Sequence, residues 1–252
     1  MKVNQAIVCA AGTGSRLGLG VKSLIIYRDK ILLDYLLRSI LQLKLSKIIV
    51  NIPAKSYYPN ISNDALAKLN DLITRYPEIT FVEDDNQSFG RRPDYLRKYL
   101  YTRKPFFLFC GQSPQLSSHI KRMSEVYEKG CLVTSGYKYR YEKIIPVGEV
   151  IDNRIKKIEV KTFSRPTVIN SLIETQTIPH YPMILDYNFY DTYPKNDDFK
   201  FRMYNYINDF IQKGGNVINV DNPITISEID YSDDLDKLFR SVDQIIPMLS
   251  SG

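Results

Sequence analysis

The chain has 252 residues, of which 44% are hydrophobic and 25% charged. That balance supplies a full apolar core at this length and excludes a disordered or low-complexity protein. The net charge is +6, which reads either as a lysine-rich solvated surface or as adaptation to an anionic ligand such as a nucleotide.

Cys9, Cys110 and Cys131 are too few and too scattered for a disulfide framework or a zinc site, so a reduced, cytoplasmic setting is expected. No apolar stretch approaches the ~20 residues needed to span a bilayer, and the opening segment lacks a signal peptide's long apolar region. No run of five or six basic residues marks a nucleic-acid arm. Neither nucleic acid nor membrane is therefore expected as a partner.

In chain order, "AIVCAA" (6–11) reads as a buried strand stopped by Gly12, and "ILLDYLLRSILQL" (31–43) as an amphipathic helix. A second strand follows at 47–53, then a helix at 63–76 with Asn63 as its N-cap, a third strand at 79–84 and a short helix at 92–101. "FFLFCG" (106–111) is a fourth strand, and 116–130 a helix closed by Gly130. This alternation predicts a mostly parallel sheet covered on both faces, with ligands at the carboxyl ends of its strands. The turns at 12–20 and 111–115 lie at such ends.

Beyond residue 130 the pattern changes. Strands are expected at 131–137, 144–152, 154–162 and 180–185, some of them in hairpins. A helix at 197–215, a strand at 217–222 and a terminal helix at 232–249 complete the chain.

The most informative stretch is "IVCAAGTGSRLGLGVKS" (7–23). Gly12 and Gly14 leave backbone N–H groups open to an anion, Arg16 adds a planar fork suited to phosphate, and Lys22 adds a point charge. A dinucleotide fingerprint would need glycine where Leu17 stands, and a Walker A loop would need glycines at Arg16 and Val21.

What remains, A-A-G-x-G-S-R-L-G followed by Lys22, resembles the nucleotidyltransferase superfamily of the sugar-1-phosphate nucleotidylyltransferase type. In that family a proline precedes the lysine, where this chain has Val21. The resemblance implies a Rossmann-like three-layer α/β/α fold with a mostly parallel mixed sheet. It treats 1–252 as one domain, with a nucleotide-binding half (1–130) and an acceptor-binding, sheet-completing half (131–252). The activity implied is transfer of a nucleotidyl group from a nucleoside triphosphate to a sugar phosphate or similar phosphomonoester, with Mg²⁺ as cofactor. Oligomeric state is left open, a homo-oligomer included.

Residue by residue, the resemblance carries catalytic roles to Arg16, Lys22 and Asp230, and nucleotide binding to Ala11, Gly12, Gly14, Gln87, Gly90 and Gly111. A polar loop is the other reading of Gln87 and Gly90. Glu159 and Lys161 match a Glu-Lys pair that holds the acceptor phosphate, though Val160 separates them here. An alternating edge strand with solvated charges is the other reading for that pair. Asp230 matches a magnesium-binding aspartate, while Asp233 and Asp234 also fit helix-start acids.

One departure bears on activity. Family members carry Gly-Asp after the fourth strand, and that aspartate binds magnesium. Here Gly111 is followed by Gln112, a neutral metal ligand at best. Three explanations stay open: an enzyme relying on Asp230 and waters with Asp84 or Asp85 compensating, a catalytically impaired nucleotide- or nucleotide-sugar-binding protein, or a chain altered at this position. A glycosyltransferase would need an Asp-x-Asp motif after a central strand, and neither "DDFKF" nor "SDDLD" stands there.

Overall fold

The computed structural model describes residues 2–12, 20–84, 92–101, 103–138, 140–169, 172, 174–186, 199–224 and 234–249. Apolar runs form the first half of a nine-stranded sheet: β1 (Gln5–Cys9), β4 (Lys47–Pro53), β5 (Thr80–Asp84) and β6 (Phe106–Cys110). All four are parallel, with β1 paired to β4 on one side and to β6 on the other. Between them lie α1 (Leu32–Leu41), α2 (Asn63–Arg75) and α3 (Arg92–Arg97). A small hairpin, β2 (Ile26–Tyr27) with β3 (Lys30–Ile31), precedes α1.

The second half contributes α4 (Ser117–Val126), β7 (Leu132–Tyr137), β8 (Arg140–Ile151), β9 (Arg154–Ile169), β10 (Gln176–Leu185), α5 (Phe199–Gln212), β11 (Val217–Asp221) and α6 (Asp234–Leu249). The strand order is β5-β4-β1-β6-β10-β7-β11-β9-β8. The sheet is mixed: β10 runs antiparallel to both β6 and β7, and β11 is parallel to β7. It follows that β1, β4, β5, β6, β7 and β11 all point the same way, so the loops after them leave one edge of the sheet.

Strand alternation divides the core between two faces. Ala6 and Val8 face a cluster closed by α1, α2 and α4, while Ile7 and Cys9 face one closed by α3 and α5. A third cluster holds α6 through Leu238, Val242 and Ile245 against Leu32, Tyr35, Tyr137 and Ile145. Phe106, Phe107 and Phe109 are fully buried in β6, each contributing about 1.5–3 kcal/mol from apolar burial.

Local departures from the sequence reading have physical causes. Ser62, not Asn63, caps α2, its hydroxyl accepting from the Ala65 N–H at 3.2 Å. The helix expected to run to Gly130 stops at Val126, because Tyr127 is extended and Gly130 turns the chain at φ +84°. β10 starts at Gln176, four residues before the strand expected at 180–185, and accommodates Pro182 in a bulge where the register with β7 shifts between His180 and Met183. The β8–β9 hairpin is longer than its apolar pattern, and turns through Asp152 and Asn153 at φ 50° and 59°, as a tight hairpin requires. On β9, the Asn208 amide of α5 takes the place of a neighbouring strand. It accepts from the Ile158 N–H and donates to the Ile158 carbonyl, each at 2.7 Å.

Candidate active site

The edge where six strands end carries Gly12, the first residue of the glycine turn, shortly after β1. At the end of β1 the Ala10 N–H donates to Asn51 Oδ1 at 2.5 Å, and Asn51 Nδ2 donates to Asp84 Oδ2 at 2.7 Å. The Ala54 N–H donates to the Asp84 carbonyl at 2.9 Å. This chain of bonds ties the ends of β1, β4 and β5 together. Asp84 is buried, and its carboxylate holds the strand ends, so the compensating role considered for it competes with that framework bond. Asn51 has no part in the motif. Its signal in the sequence is a lone amide inside the apolar run "KIIVNIP".

Lys22 opens a 3-10 turn (Lys22–Leu24) and is half-buried. The turn is fastened to the strand end because the Ser23 hydroxyl donates to the Ala10 carbonyl at 2.5 Å. Ala11 is buried and Gly12 half-buried beside it. Thus Ala11, Gly12 and Lys22 do come together. Gly14, Arg16, Gln87, Gly90, Asp85, Asp230 and Asp233 lie outside the described residues.

Gly111 continues β6 past Cys110, its N–H donating to the Cys9 carbonyl at 2.8 Å. A Cβ here would stand 2.7 Å from Ala10 Cβ and 2.8 Å from Ala10 Cα. The glycine is therefore demanded by the approach of the two loops, whatever they bind. Half-buried Gln112 follows on the same turn.

Across the edge, a buried polar network fixes this second loop. Asn222, just beyond β11, directs Nδ2 at Gln115 Oε1 (2.9 Å), Tyr137 Oη (3.0 Å) and Ser135 Oγ (3.1 Å), and its own N–H donates to the Gly136 carbonyl at 2.8 Å. The Tyr137 hydroxyl donates to the Tyr181 carbonyl at 2.7 Å. His119 on α4 joins through Nε2, 2.8 Å from Ser135 Oγ, while its Nδ1 is buried without a partner. Sequence reading missed this set, because its members come from five parts of the chain with no spacing in common.

Burial, helped by nearby Arg122, pulls the His119 pKa down to about 4, with Asp221 opposing. In the unfolded chain the ring protonates near 6.5. Between these values the unfolded state binds more protons, so His119's contribution is complete above pH 6.5 and is lost as pH falls towards 4. Urea midpoints measured across that window should drop, with His119 accounting for about 3 kcal/mol, and His119→Gln should flatten the slope. An equally steep slope in the variant would remove His119 as the cause.

Glu159 and Lys161 are both exposed on one face of β9, opposite Val147 and Ile145 of β8. The structure thus sets the two charges side by side despite the intervening Val160, on the side of the sheet that carries α6. Helix α6 is itself pinned to the hairpin after Lys22. The Tyr27 hydroxyl donates to Asp243 at 2.8 Å, Arg28 pairs with the same carboxylate at 2.7 Å, and the Tyr27 and Phe239 rings stack at 4.2 Å. Among the described residues no three His, Cys, Asp or Glu side chains converge as a metal cluster, and no helix is long and apolar enough to cross a membrane.

No protein-family model and no curated protein matches the chain. Solved structures do. An inositol-1-phosphate CTP transferase from T. maritima aligns at 17% identity and TM-score 0.67, covering 97% of each chain. The 4-diphosphocytidyl-2C-methyl-D-erythritol synthase from Anaerococcus prevotii aligns at 15% identity and TM-score 0.63, covering 96% of each. An apo UDP-glucose pyrophosphorylase aligns at 12% identity and TM-score 0.64, covering 98% of this chain and 99% of that one. With end-to-end coverage of these three structures and the mixed sheet described above, the chain shares their Rossmann-like α/β fold.

Proposed function

We propose that the protein transfers a nucleotidyl group from a nucleoside triphosphate to a phosphorylated acceptor, a sugar phosphate or a similar phosphomonoester. An acceptor phosphate oxygen attacks the α-phosphorus, the bond from that phosphorus to the bridging oxygen breaks, and pyrophosphate leaves. The observation that carries this reading is the meeting of Ala11, Gly12, Lys22 and Gly111 at the sheet edge where six strands end.

Catalysis here is positioning and charge. The N–H groups of Gly12 and Gly14 and the Arg16 guanidinium hold the triphosphate tail. Lys22 stands at the α-phosphate and the attacking oxygen. Glu159 and Lys161 orient the acceptor, Lys161 by its phosphate. Gln87 and Gly90 line the base. The acid-poor loop at Gln112 fits Mg²⁺ only weakly, so Asp230 is assigned as the main ligand and Gln112 as a neutral second one. Bound there, Mg²⁺ would neutralise phosphate charge.

Gln112 also supports a second reading, a nucleotide-binding protein that has lost turnover. Gln112→Asp separates the two. In a weakened enzyme it should tighten Mg²⁺ and raise turnover about tenfold, equivalent to about 1.4 kcal/mol. Product analysis with a panel of triphosphates and sugar-1-phosphates reads the result. Tighter metal binding without product favours the binder. No response in either quantity would detach Gln112 from the metal altogether.

A further inference from the structure

We infer that, against the expectation from sequence of no membrane partner, the edge of the sheet opposite the nucleotide loops docks on an anionic phospholipid surface. At that edge Lys47, Lys98, Arg103 and Lys104 stand close in the fold, Lys47 and Lys104 approaching the same Tyr101 ring at 4.9 and 5.6 Å. The sequence shows no contiguous basic run there, because tyrosines and leucines interrupt it. The fold brings the cations to one place. Lys47 opens β4, Arg103 and Lys104 lie in the loop that enters β6, and Lys98 follows α3. Arg103, Lys104 and Lys98 are exposed.

This loop is built rather than loose. Gln5, with no exposed surface, donates from Nε2 to the carbonyls of Lys104 (3.0 Å) and Tyr101 (3.2 Å), and accepts the Tyr101 N–H at 2.8 Å. Arg103 is held at φ 58°, where glycine would be the unstrained residue. A buried clamp and a left-handed arginine together hold a charged tip in a fixed place.

The chemistry selects the partner. Lys98 Nζ sits 4.0 Å from the Tyr95 ring centroid and 5.0 Å from that of Tyr99, and Lys47 lies 4.9 Å from that of Tyr101. Ring faces engaged by ammonium groups are poor platforms for stacked nucleic-acid bases. What the edge offers is a set of cations beside half-buried Tyr95 and Tyr99 and exposed Tyr101, the pairing that suits a phosphate headgroup layer. Cations gathered at one end of a sheet can reach one plane together. Docked so, the protein turns its nucleotide loops to solution. The inference does not depend on the reaction proposed above.

Sedimentation with vesicles tests it, comparing phosphatidylcholine alone with phosphatidylcholine containing phosphatidylserine. The full chain should bind the anionic vesicles at least about tenfold more tightly, with the difference shrinking at high salt. Arg103→Glu/Lys104→Glu should lose at least about tenfold in vesicle affinity with an unchanged melting temperature. Lys156→Glu/Lys157→Glu, an equal charge change at exposed positions of β9, should keep it. Equal binding to both vesicle types, equal loss in both variants, or no loss in the first overturns the inference. So does displacement from vesicles by a single-stranded oligonucleotide at lower concentration than the lipid, which would make the partner a nucleic acid.

Discussion

Lys22→Ala is expected to lower kcat/KM for the triphosphate by about a thousandfold, or about 4 kcal/mol of transition-state stabilisation, while leaving the melting temperature nearly unchanged. The expectation rests on where the lysine stands. The turn that carries it is fastened by Ser23 to Ala10 and by the backbone bonds from Leu24 to Val21 and from Ile25 to Lys22, all of which survive truncation of the side chain. Removing the charge therefore leaves the turn in place. Negative charge that builds up between the α-phosphate and the leaving pyrophosphate loses its compensating cation, and water is a poor substitute in a half-buried site. Lys22→Arg should recover only part of the loss, since a planar fork does not reproduce a compact ammonium. Steady-state kinetics beside a melting curve decides the matter. Activity within about threefold of the native protein would place the lysine away from the reacting phosphates.

Gly111→Ala acts through geometry. The added methyl group would lie 2.7 Å from Ala10 Cβ and 3.1 Å from the Cys9 carbonyl oxygen, both on the neighbouring strand. Strand β1 cannot move away, because the Ala10 N–H is held by Asn51 and Asn51 by Asp84. The cost of this overpacking should be about 1–3 kcal/mol in unfolding free energy. The loop with Gln112 must then shift against the glycine loop, and a displacement near 1 Å should reduce turnover about a hundredfold. Thermal unfolding and single-turnover rates read the two effects separately. A variant that keeps both would show that the strand ends part easily, contrary to the bonds that join them.

How far the sequence foretold this site varied with the kind of signal. Continuous apolar runs located β4 and β6 within a residue and β1 within two, because a strand buried on both faces leaves little room for polar side chains. The glycine turn was legible for a similar reason: Gly12 and Lys22 do meet at the end of β1. The antiparallel course of β10 was not legible. The strand itself was expected at 180–185, but its direction follows from pairing with β6 and β7, segments tens of residues away. The framework amides were equally silent. Asn51 and Asn222 act through partners 33 and 107 residues distant, Asp84 and Gln115, and no local pattern records such a bond. Gly111 was read as a ligand-facing glycine, whereas its first physical requirement is the closeness of Ala10.

The placement of β10 between β6 and β7 also governs how the chain is made. Strand β6 ends at Cys110, but its outer neighbour is not synthesised until residue 185 has left the ribosome. Until then a five-residue strand of phenylalanine, leucine and cysteine waits with its hydrogen-bonding edge open, the kind of edge that seeds aggregation. The first half of the sheet therefore cannot finish as an independent unit, and a fragment ending near residue 130 should associate or precipitate. Pairing across so long an interval is slow, because the loop must close before the contact repays it. A nascent chain of this protein passes through a long interval in which its most apolar strand has β1 on one side and an open edge on the other, and shielding that edge is work for a chaperone.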